Sequence, residues 1–157
     1  LVATDFSEAA ATALAYGRDL ARGYSATLHV LHVEDDLASR YSLDMSPMYL
    51  PDIQREIEEA ARKQVEGLLS DEDRTALRAR ASVRTSPAAA ATIVDYAKEE
   101  RIDLVVVGTH GRGAVSRFFV GSVAERVVRT APCPVLTVRH PERDFIAPDA
   151  LIAAAKA

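Results

Sequence analysis

Short apolar runs alternate with longer amphipathic segments along the chain. The runs are rich in β-branched residues and stop at glycine or polar residues, which is typical of strands buried on both faces of a parallel sheet. The longer segments repeat apolar residues every three or four positions, which predicts helices with one buried face. We predict strands at residues 1–4, 26–33, 77–83, 104–107 and 135–138, and helices that begin after Ser7, at Pro51, at Pro87 and at Ser122.

The expected helix boundaries depend on capping and helix-breaking residues. Ser7 is a suitable N-cap, and Gly23 suits the end of the first helix. Ser86 followed by Pro87 predicts a cap and a first helical position. The charged stretch 71–74 lies between the second helix and the third strand, and we interpret it as a solvated turn.

The last two helices have apolar residues at helical spacing. These residues predict the faces that pack against the sheet. In the third helix they are Ile93, Val94 and Ala97, and in the fourth they are Val123, Val127 and Val128 with Ala124 beside them.

The regular alternation of strands and helices predicts an α/β fold. Right-handed crossovers then give a doubly wound, five-stranded parallel sheet of order 3-2-1-4-5 with helices on both faces, a Rossmann-like arrangement. The switch point lies between strands 1 and 4, whose carboxyl ends carry Asp5 and Gly108. Residues 1–140 are expected to form one domain, and residues 141–157 a C-terminal extension.

Composition and charge narrow the classes of function. A net charge of −4 argues against general nucleic-acid binding, which usually needs a basic face. No apolar run approaches the length of a membrane-spanning helix, so no membrane insertion is expected. The single cysteine, Cys133, cannot form an internal disulfide, which fits a cytoplasmic location.

A glycine-punctuated, basic loop follows the fourth strand. It runs from Gly108 through Gly111 and Arg112 to the helix start at Gly121 and Ser122. Glycines let the backbone approach an anion closely, and a helix N-terminus offers unpaired N–H groups. The order G-x-x-G-x-G matches neither the dinucleotide fingerprint nor a Walker A loop. The layout nevertheless predicts phosphate binding.

The spacing of these glycines resembles the ATP-binding motif of the universal stress protein family. Gly108, two residues, Gly111, nine residues and Gly121-Ser122 match the pattern G-x2-G-x9-G-[ST]. The opening ATDFSEAA and the strand LHVLHV also look like segments of that family, and the resemblance covers roughly residues 1–139.

The resemblance implies an ATP site with a magnesium ion. Asp5 would lie beside the nucleotide and its Mg²⁺, and Val33 would contact the adenine through backbone atoms. Gly108 would approach the ribose, and the loop and helix start would hold the phosphates. The residues implied in the site are Ala3, Asp5, Val33, Val107, Gly108, Gly111, Arg112, Gly121, Ser122 and Val123.

Several of these residues also have a purely structural interpretation. Asp5 suits the N-terminal end of a helix dipole, and Ser122 with Glu125 has the spacing of a capping box. Arg112 and Arg117 either neutralise phosphate charge or lie in solvent.

Other reactive side chains have weaker functional interpretations. His110 lies in the glycine loop without an assigned partner, so we favour a structural or phosphate-contact role over catalysis. His29 and His32 should point to opposite faces of their strand, which excludes a local metal pair. Cys133 is interpreted as a small core residue. The Tyr and Met side chains within residues 41–49 fit a lid, a partner surface or ordinary loop packing.

Three functions are compatible with the sequence. The first is an ATP-binding, nucleotide-dependent regulatory module of the stress response. The second is a slow ATP hydrolase or a phosphoryl or adenylyl transferase, although no dedicated general base is identifiable. The third is a stress-response interaction protein that binds no nucleotide. The family resemblance also implies a homodimer that pairs through the last strand, Pro134–Arg139.

Overall fold

The fold is a five-stranded parallel sheet with helices on both faces. The structure is a computed structural model that describes residues 1–40, 50–109 and 121–140. The strands are β1 (Val2–Thr4), β2 (His29–Glu34), β3 (Arg80–Thr85), β4 (Val105–Gly108) and β5 (Val135–Val138). The helices are α1 (Glu8–Tyr24), α2 (Leu37–Arg40), α3 (Leu50–Gly67), α4 (Asp71–Ala76), α5 (Ala89–Glu99) and α6 (Ser122–Thr130). The sheet order β3-β2-β1-β4-β5 confirms the predicted fold class.

The sheet register aligns the carboxyl ends of the central strands. Val2 of β1 lies between Val30 of β2 and Val106 of β4. One residue further along, Ala3 pairs with Val107 on one side. Because all strands are parallel, the turns after β1 and β4 emerge at the same edge of the sheet.

Two hydrophobic clusters cover the two faces of the sheet. Alternate residues of each strand point to opposite sides. Val30 and Val106 pack with residues of α1 and α3 in one cluster. Leu31 and Val107 pack with residues of α5 and α6 in the other. This two-sided burial explains why the strands are continuous apolar runs rather than alternating ones.

Helix α1 begins where the sequence predicts and ends later. Ser7 is the N-cap, and its hydroxyl accepts a hydrogen bond from the N–H of Ala10 at 3.2 Å. The expected stop at Gly23 is wrong, because the helix continues to Tyr24. Ser25 is the C-cap and adopts the left-handed conformation with φ of 53°. A serine therefore takes the backbone geometry that glycine was expected to supply.

The charged stretch after α3 is a helix, not the solvated turn that the sequence predicts. Ser70 caps α4, and Ser70 and Asp73 form a reciprocal capping box. The Asp73 side chain is 1% exposed and lies 2.9 Å from Nη2 of Arg18 in α1. Nε of Arg18 also donates to both carboxylate oxygens. The ion pair and the capping box together satisfy the buried carboxylate.

Helix α5 also begins later than expected. The N-cap is Ala88 rather than Ser86, and Pro87 precedes the helix instead of opening it. The Ser86 hydroxyl accepts a hydrogen bond from the N–H of Ala88 at 3.1 Å, so it stabilises the turn before the helix. The three inward residues expected in this helix, Ile93, Val94 and Ala97, are all buried.

The starts of β2 and β3 differ most from the predicted strand boundaries. Strands β2 and β3 begin three residues later than predicted, at His29 and Arg80. Leu77, the expected start of β3, is instead the C-cap of α4.

Among the described residues, none of the helices combines the length and apolar character needed to cross a bilayer.

Candidate functional site

A cavity opens at the switch point of the sheet, at the carboxyl ends of β1, β2 and β4. Its volume is about 380 Å³. This falls within the range of small-molecule sites in proteins. Eight residues that the sequence analysis placed in a nucleotide site line this one cavity: Ala3, Asp5, Val33, Val107, Gly108, Gly121, Ser122 and Val123. The other two, Gly111 and Arg112, lie outside the described residues, as do His110 and Arg117.

The sequence analysis missed seven further described residues of the cavity wall. They are Thr4, Ala10, Leu31, Ala89, Ile93, Thr109 and Ala124. The sequence pattern marked Ile93 and Ala124 only as core residues. Apolar periodicity is the same for a helix face buried in the core and for one that lines a ligand site. Ala89 lies at the start of α5, where the expected boundary was wrong.

One end of the cavity is apolar. Leu31 and Val33 of β2 and Val107 of β4 line it from the sheet, and Ala89 and Ile93 line it from α5. None of these side chains can donate or accept a hydrogen bond. This end suits a flat apolar group that is recognised through backbone atoms.

The turn between β1 and α1 holds the acidic side chain of the site. Oδ1 of Asp5 accepts a hydrogen bond from the N–H of Ser7 at 3.1 Å. The hydroxyl of Thr4 accepts one from the N–H of Phe6 at 3.1 Å. Phe6 has φ of 65°, an uncommon value for a residue with a side chain. The turn therefore has a defined shape that directs Asp5 to the cavity.

Two backbone hydrogen bonds hold the ends of the segment that carries the glycine loop. The N–H of Thr109 donates to the carbonyl of Val138 at 2.7 Å. The N–H of Gly121 donates to the carbonyl of Thr109, also at 2.7 Å. Residue 109 thereby ties the end of β4 to β5 and to the start of α6. The sequence carries no local signal for this role, which depends on backbone groups alone.

The start of α6 differs from the expected capping box. Gly121 is the N-cap, without a side-chain cap hydrogen bond, so Ser122 is already the first helical residue. Glu125 forms an ion pair with Arg129 at 3.0 Å instead of reaching back to the cap. The Ser122 hydroxyl makes no hydrogen bond to another described residue. It lines the cavity together with the first turn of the helix, where backbone N–H groups lack intrahelical partners.

Only part of the expected apolar face of α6 is buried. Ala124 and Val127 pack into the core. Val123 is 41% exposed and Val128 is 50% exposed, so their expected inward orientation is wrong. Ala124 and Val127 are buried because they face the sheet and α5, whereas Val123 lines the cavity.

The structure gives Gly108 a packing reason to be glycine. A Cβ atom at this position would lie 2.9 Å from the carbonyl carbon of Ala9 and 3.1 Å from the nitrogen of Ala10. The end of β4 thus lies directly against the first turn of α1. Gly121 is less constrained, since its Cβ would lie 3.3 Å from the Thr109 oxygen. Its φ of −58° and ψ of 147° are accessible to any residue.

The two strand histidines contact different layers, as predicted. Nδ1 of His29 lies 3.0 Å from the Tyr96 hydroxyl of α5. His32 packs instead against Phe6, with ring centroids 4.5 Å apart. Burial lowers the pKa of His29, because the charged form is poorly solvated there. Among the described residues there is no cluster of three or more potential metal-binding side chains.

Cys133 has the environment expected of a small core residue. It is partly buried and packs against the cluster formed with α5 and α6. Burial raises the pKa of its thiol, which disfavours the reactive thiolate.

The arrangement suits an anionic ligand with an apolar part. The N-termini of α1 and α6 both approach the cavity through Ala10 and Ser122. Helix N-termini favour anions, while the apolar end accommodates an uncharged ring. Mg²⁺ is commonly held by one or two carboxylates together with ligand phosphates. The Asp5 carboxylate therefore fits a magnesium ion that arrives with a phosphorylated ligand.

Comparison with known proteins agrees with the fold. A universal stress protein of Thermus aquaticus is 34% identical over 143 residues, which cover 88% of this chain and 96% of the relative. A shorter match, to a universal stress protein of Methanocaldococcus jannaschii, is 46% identical over 52 residues, which cover 33% of this chain and 31% of the relative. Among solved structures, UspA of Lactobacillus plantarum is 29% identical with a TM-score of 0.67, covering 88% of this chain and 94% of that one.

A universal stress protein solved in complex with cAMP shares the fold. Its TM-score is 0.53 and its identity 22%, with 88% of this chain and 93% of that one covered. The model of the Universal stress protein family matches residues 1–139. The chain therefore belongs to the universal stress protein family.

Proposed function

We propose that this chain is an ATP-binding regulatory module whose nucleotide occupies the cavity at the switch point. One observation carries the proposal. An apolar end, an acidic turn and a helix N-terminus from three distant parts of the sequence line the same cavity. A solved universal stress protein holds cAMP, another adenine nucleotide, which makes this ligand class reasonable.

Each end of the cavity suits a different part of ATP. The adenine would lie between Val33, Val107 and Ile93, where it is recognised by shape and by backbone groups. The phosphates would lie at the first turn of α6, with the Ser122 hydroxyl and backbone N–H groups as donors. Asp5 would bind the Mg²⁺ that accompanies the phosphates.

A regulatory role explains the described site better than a dedicated enzyme does. Among the described lining residues, Asp5 is the one with an ionisable side chain. Phosphoryl transfer needs a metal, a positioned nucleophile and a charge clamp together. Slow hydrolysis of ATP is the second candidate function. Asp5 with Mg²⁺ would meet one of these three requirements, the metal.

The proposal includes a homodimer and a cytoplasmic location. Strand β5 lies at the edge of the sheet, where it is available to pair with a second copy. Thr137 in its centre is exposed. A Thr137→Lys variant should shift the mass measured by light scattering from dimer to monomer, because edge lysines oppose strand pairing. A variant that stays dimeric would contradict pairing through β5.

The central experiment is a nucleotide assay on the purified protein. Denaturation and chromatography identify any co-purified nucleotide, and calorimetric titration with ATP and Mg²⁺ follows. We expect bound ATP or a micromolar dissociation constant. The appearance of ADP after loading with ATP would favour the hydrolase, and the absence of binding would favour an interaction protein without nucleotide.

Two variants connect the binding to the assigned residues. Gly121→Ala should weaken ATP binding by about tenfold or more, because a methyl group at the phosphate end displaces charge-assisted contacts. Asp5→Asn should remove the increase in affinity that Mg²⁺ produces. Gly67→Ala is the matched control, since its Cβ would meet nothing within 4 Å. Equal affinities for Gly121→Ala and Gly67→Ala would contradict the phosphate assignment.

A further inference from the structure

His32 is a buried histidine whose two ring nitrogens both face acceptors. The residue is 5% exposed. Nδ1 lies 2.8 Å from the carbonyl oxygen of Thr4. A carbonyl only accepts, so Nδ1 carries a hydrogen and donates it. Nε2 lies 3.2 Å from Oε2 of Glu34.

The same ring supports an unusual backbone conformation. The Phe6 ring lies 4.5 Å from the His32 ring, with 40° between their planes. Phe6 has φ of 65°, which is unfavourable for a residue with a Cβ and persists only where the surroundings hold it. His32 thus contacts the turn twice, at the Thr4 carbonyl and at the Phe6 ring.

These two contacts flank Asp5. Thr4 and Phe6 are its neighbours in the chain, so the position of the carboxylate depends on both. His32 itself does not line the cavity, whereas Leu31 and Val33 of the same strand do. Alternate residues of a strand point to opposite faces, so His32 acts on the turn from the far side of the sheet.

We propose that His32 is a positioning residue that holds the Asp5 turn in the shape needed for the phosphate and metal end of a nucleotide. Its Nδ1–H fixes the Thr4 carbonyl, and its ring supports Phe6. The inference rests on the proposed function, because it assigns Asp5 to that end of the ligand. Without the Nδ1 hydrogen bond the turn would relax, and the Asp5 carboxylate would no longer be held where it could bind Mg²⁺.

Two amide substitutions test whether Nδ1 of His32, rather than Nε2, holds the turn in place. In His32→Asn the amide nitrogen reaches the place of Nδ1, so it can still donate to Thr4. In His32→Gln the amide lies near the place of Nε2, so the bond to Thr4 is lost while the residue stays polar. Val30→Ala is the control, because Val30 is buried in the same strand and on the same face but offers no hydrogen bond to the Thr4 carbonyl.

Each variant is titrated with ATP plus Mg²⁺, with ATP plus a chelator, and with adenosine. We expect His32→Gln to weaken binding of ATP with Mg²⁺ by about tenfold, the effect of one hydrogen bond. Adenosine affinity should stay unchanged, since the adenine end is separate. His32→Asn and Val30→Ala should bind all three ligands as the parent chain does. Equal losses in the Asn and Gln variants, or equal loss of adenosine binding, would overturn the inference.

Amide hydrogen exchange provides a readout that needs no nucleotide. The N–H groups of Phe6 and Ser7 are hydrogen-bonded within the turn. They should exchange faster in ligand-free His32→Gln than in His32→Asn. If the parent chain binds no ATP, the proposed function fails and the ligand role of His32 fails with it. If the parent chain binds ATP while exchange and affinity are the same in both variants, the inference alone fails.

Discussion

Removal of the Asp73 carboxylate from its buried ion pair with Arg18 should strongly destabilise the protein. The pair joins α4 to α1, which lie far apart in the sequence, and the carboxylate also accepts the N–H of Ser70 in the capping box. Burial alone would raise the pKa of Asp73, but hydrogen bonds from Arg18 and Ser70 outweigh it and lower that pKa. Asp73→Ala removes both interactions at once.

The expected loss of stability in Asp73→Ala depends on how exposed the remaining partner, Arg18, is to water. Removing one member of a buried pair costs about 3–5 kcal/mol, because it leaves an uncompensated charge. The Arg18 side chain is 25% exposed and can turn partly to water, which favours the lower end of that range. Loss of the hydrogen bond from the Ser70 N–H adds about 1 kcal/mol. We expect a decrease of about 3–4 kcal/mol in the free energy of unfolding, or about 10 °C in Tm for a chain of this size.

Urea unfolding followed by circular dichroism measures this change. All variants should be compared at one protein concentration, because association with a second copy would add to apparent stability. Asp71→Ala is the control, since Asp71 is an exposed acid in the same first turn. It should cost less than about 0.5 kcal/mol. If Asp73→Ala costs no more than Asp71→Ala, the ion pair contributes nothing measurable and the reasoning fails.

Three further predictions concern pH and the cavity. Because the pKa of Asp73 is lowered in the fold, this residue should stabilise the protein fully above about pH 5 and lose the effect as the pH falls below about 4. The free energies of unfolding of the parent chain and of Asp73→Ala, measured with urea, should therefore converge in acid. A difference that stays constant with pH would contradict the ion pair. Gly108→Ala should cost about 2 kcal/mol by overpacking against Ala9, whereas Gly67→Ala should not lower Tm. Ser122→Ala should change stability by less than about 0.5 kcal/mol, because the hydroxyl does not cap α6, yet should weaken ATP binding; a large stability loss would restore the capping interpretation.

The fold was predictable because it depends on patterns that repeat over the whole chain. The apolar runs identify buried strands, and their alternation with helices allows few sheet orders. Two strands could be predicted without knowledge of tertiary contacts, at Leu104–Val107 and Val135–Val138. Both are β-branched runs bounded by glycine or proline, which indicate a buried strand by themselves. Small shifts in their boundaries do not alter the topology.

Helix starts show the limit of this approach. Ser70 with Asp73 and Ser122 with Glu125 have the same spacing of a serine and an acid. The first pair forms a capping box and the second does not. At the second site the N–H of Gly121 is bonded to the Thr109 carbonyl, so Gly121 takes the cap position and Ser122 enters the helix. A local pattern cannot include this distant bond.

The alternation of apolar strands and amphipathic helices in the sequence predicted the strand order, and the resemblance to a known family implied the eight described residues that line the cavity. Tertiary structure alone decided how these residues are held. The buried Asp73 pairs with Arg18 from another helix, and the carbonyl of Thr4, next to Asp5, contacts His32 from another strand. Such contacts join residues that are distant in the chain, and their energies depend on burial and geometry, which no spacing of residue types specifies.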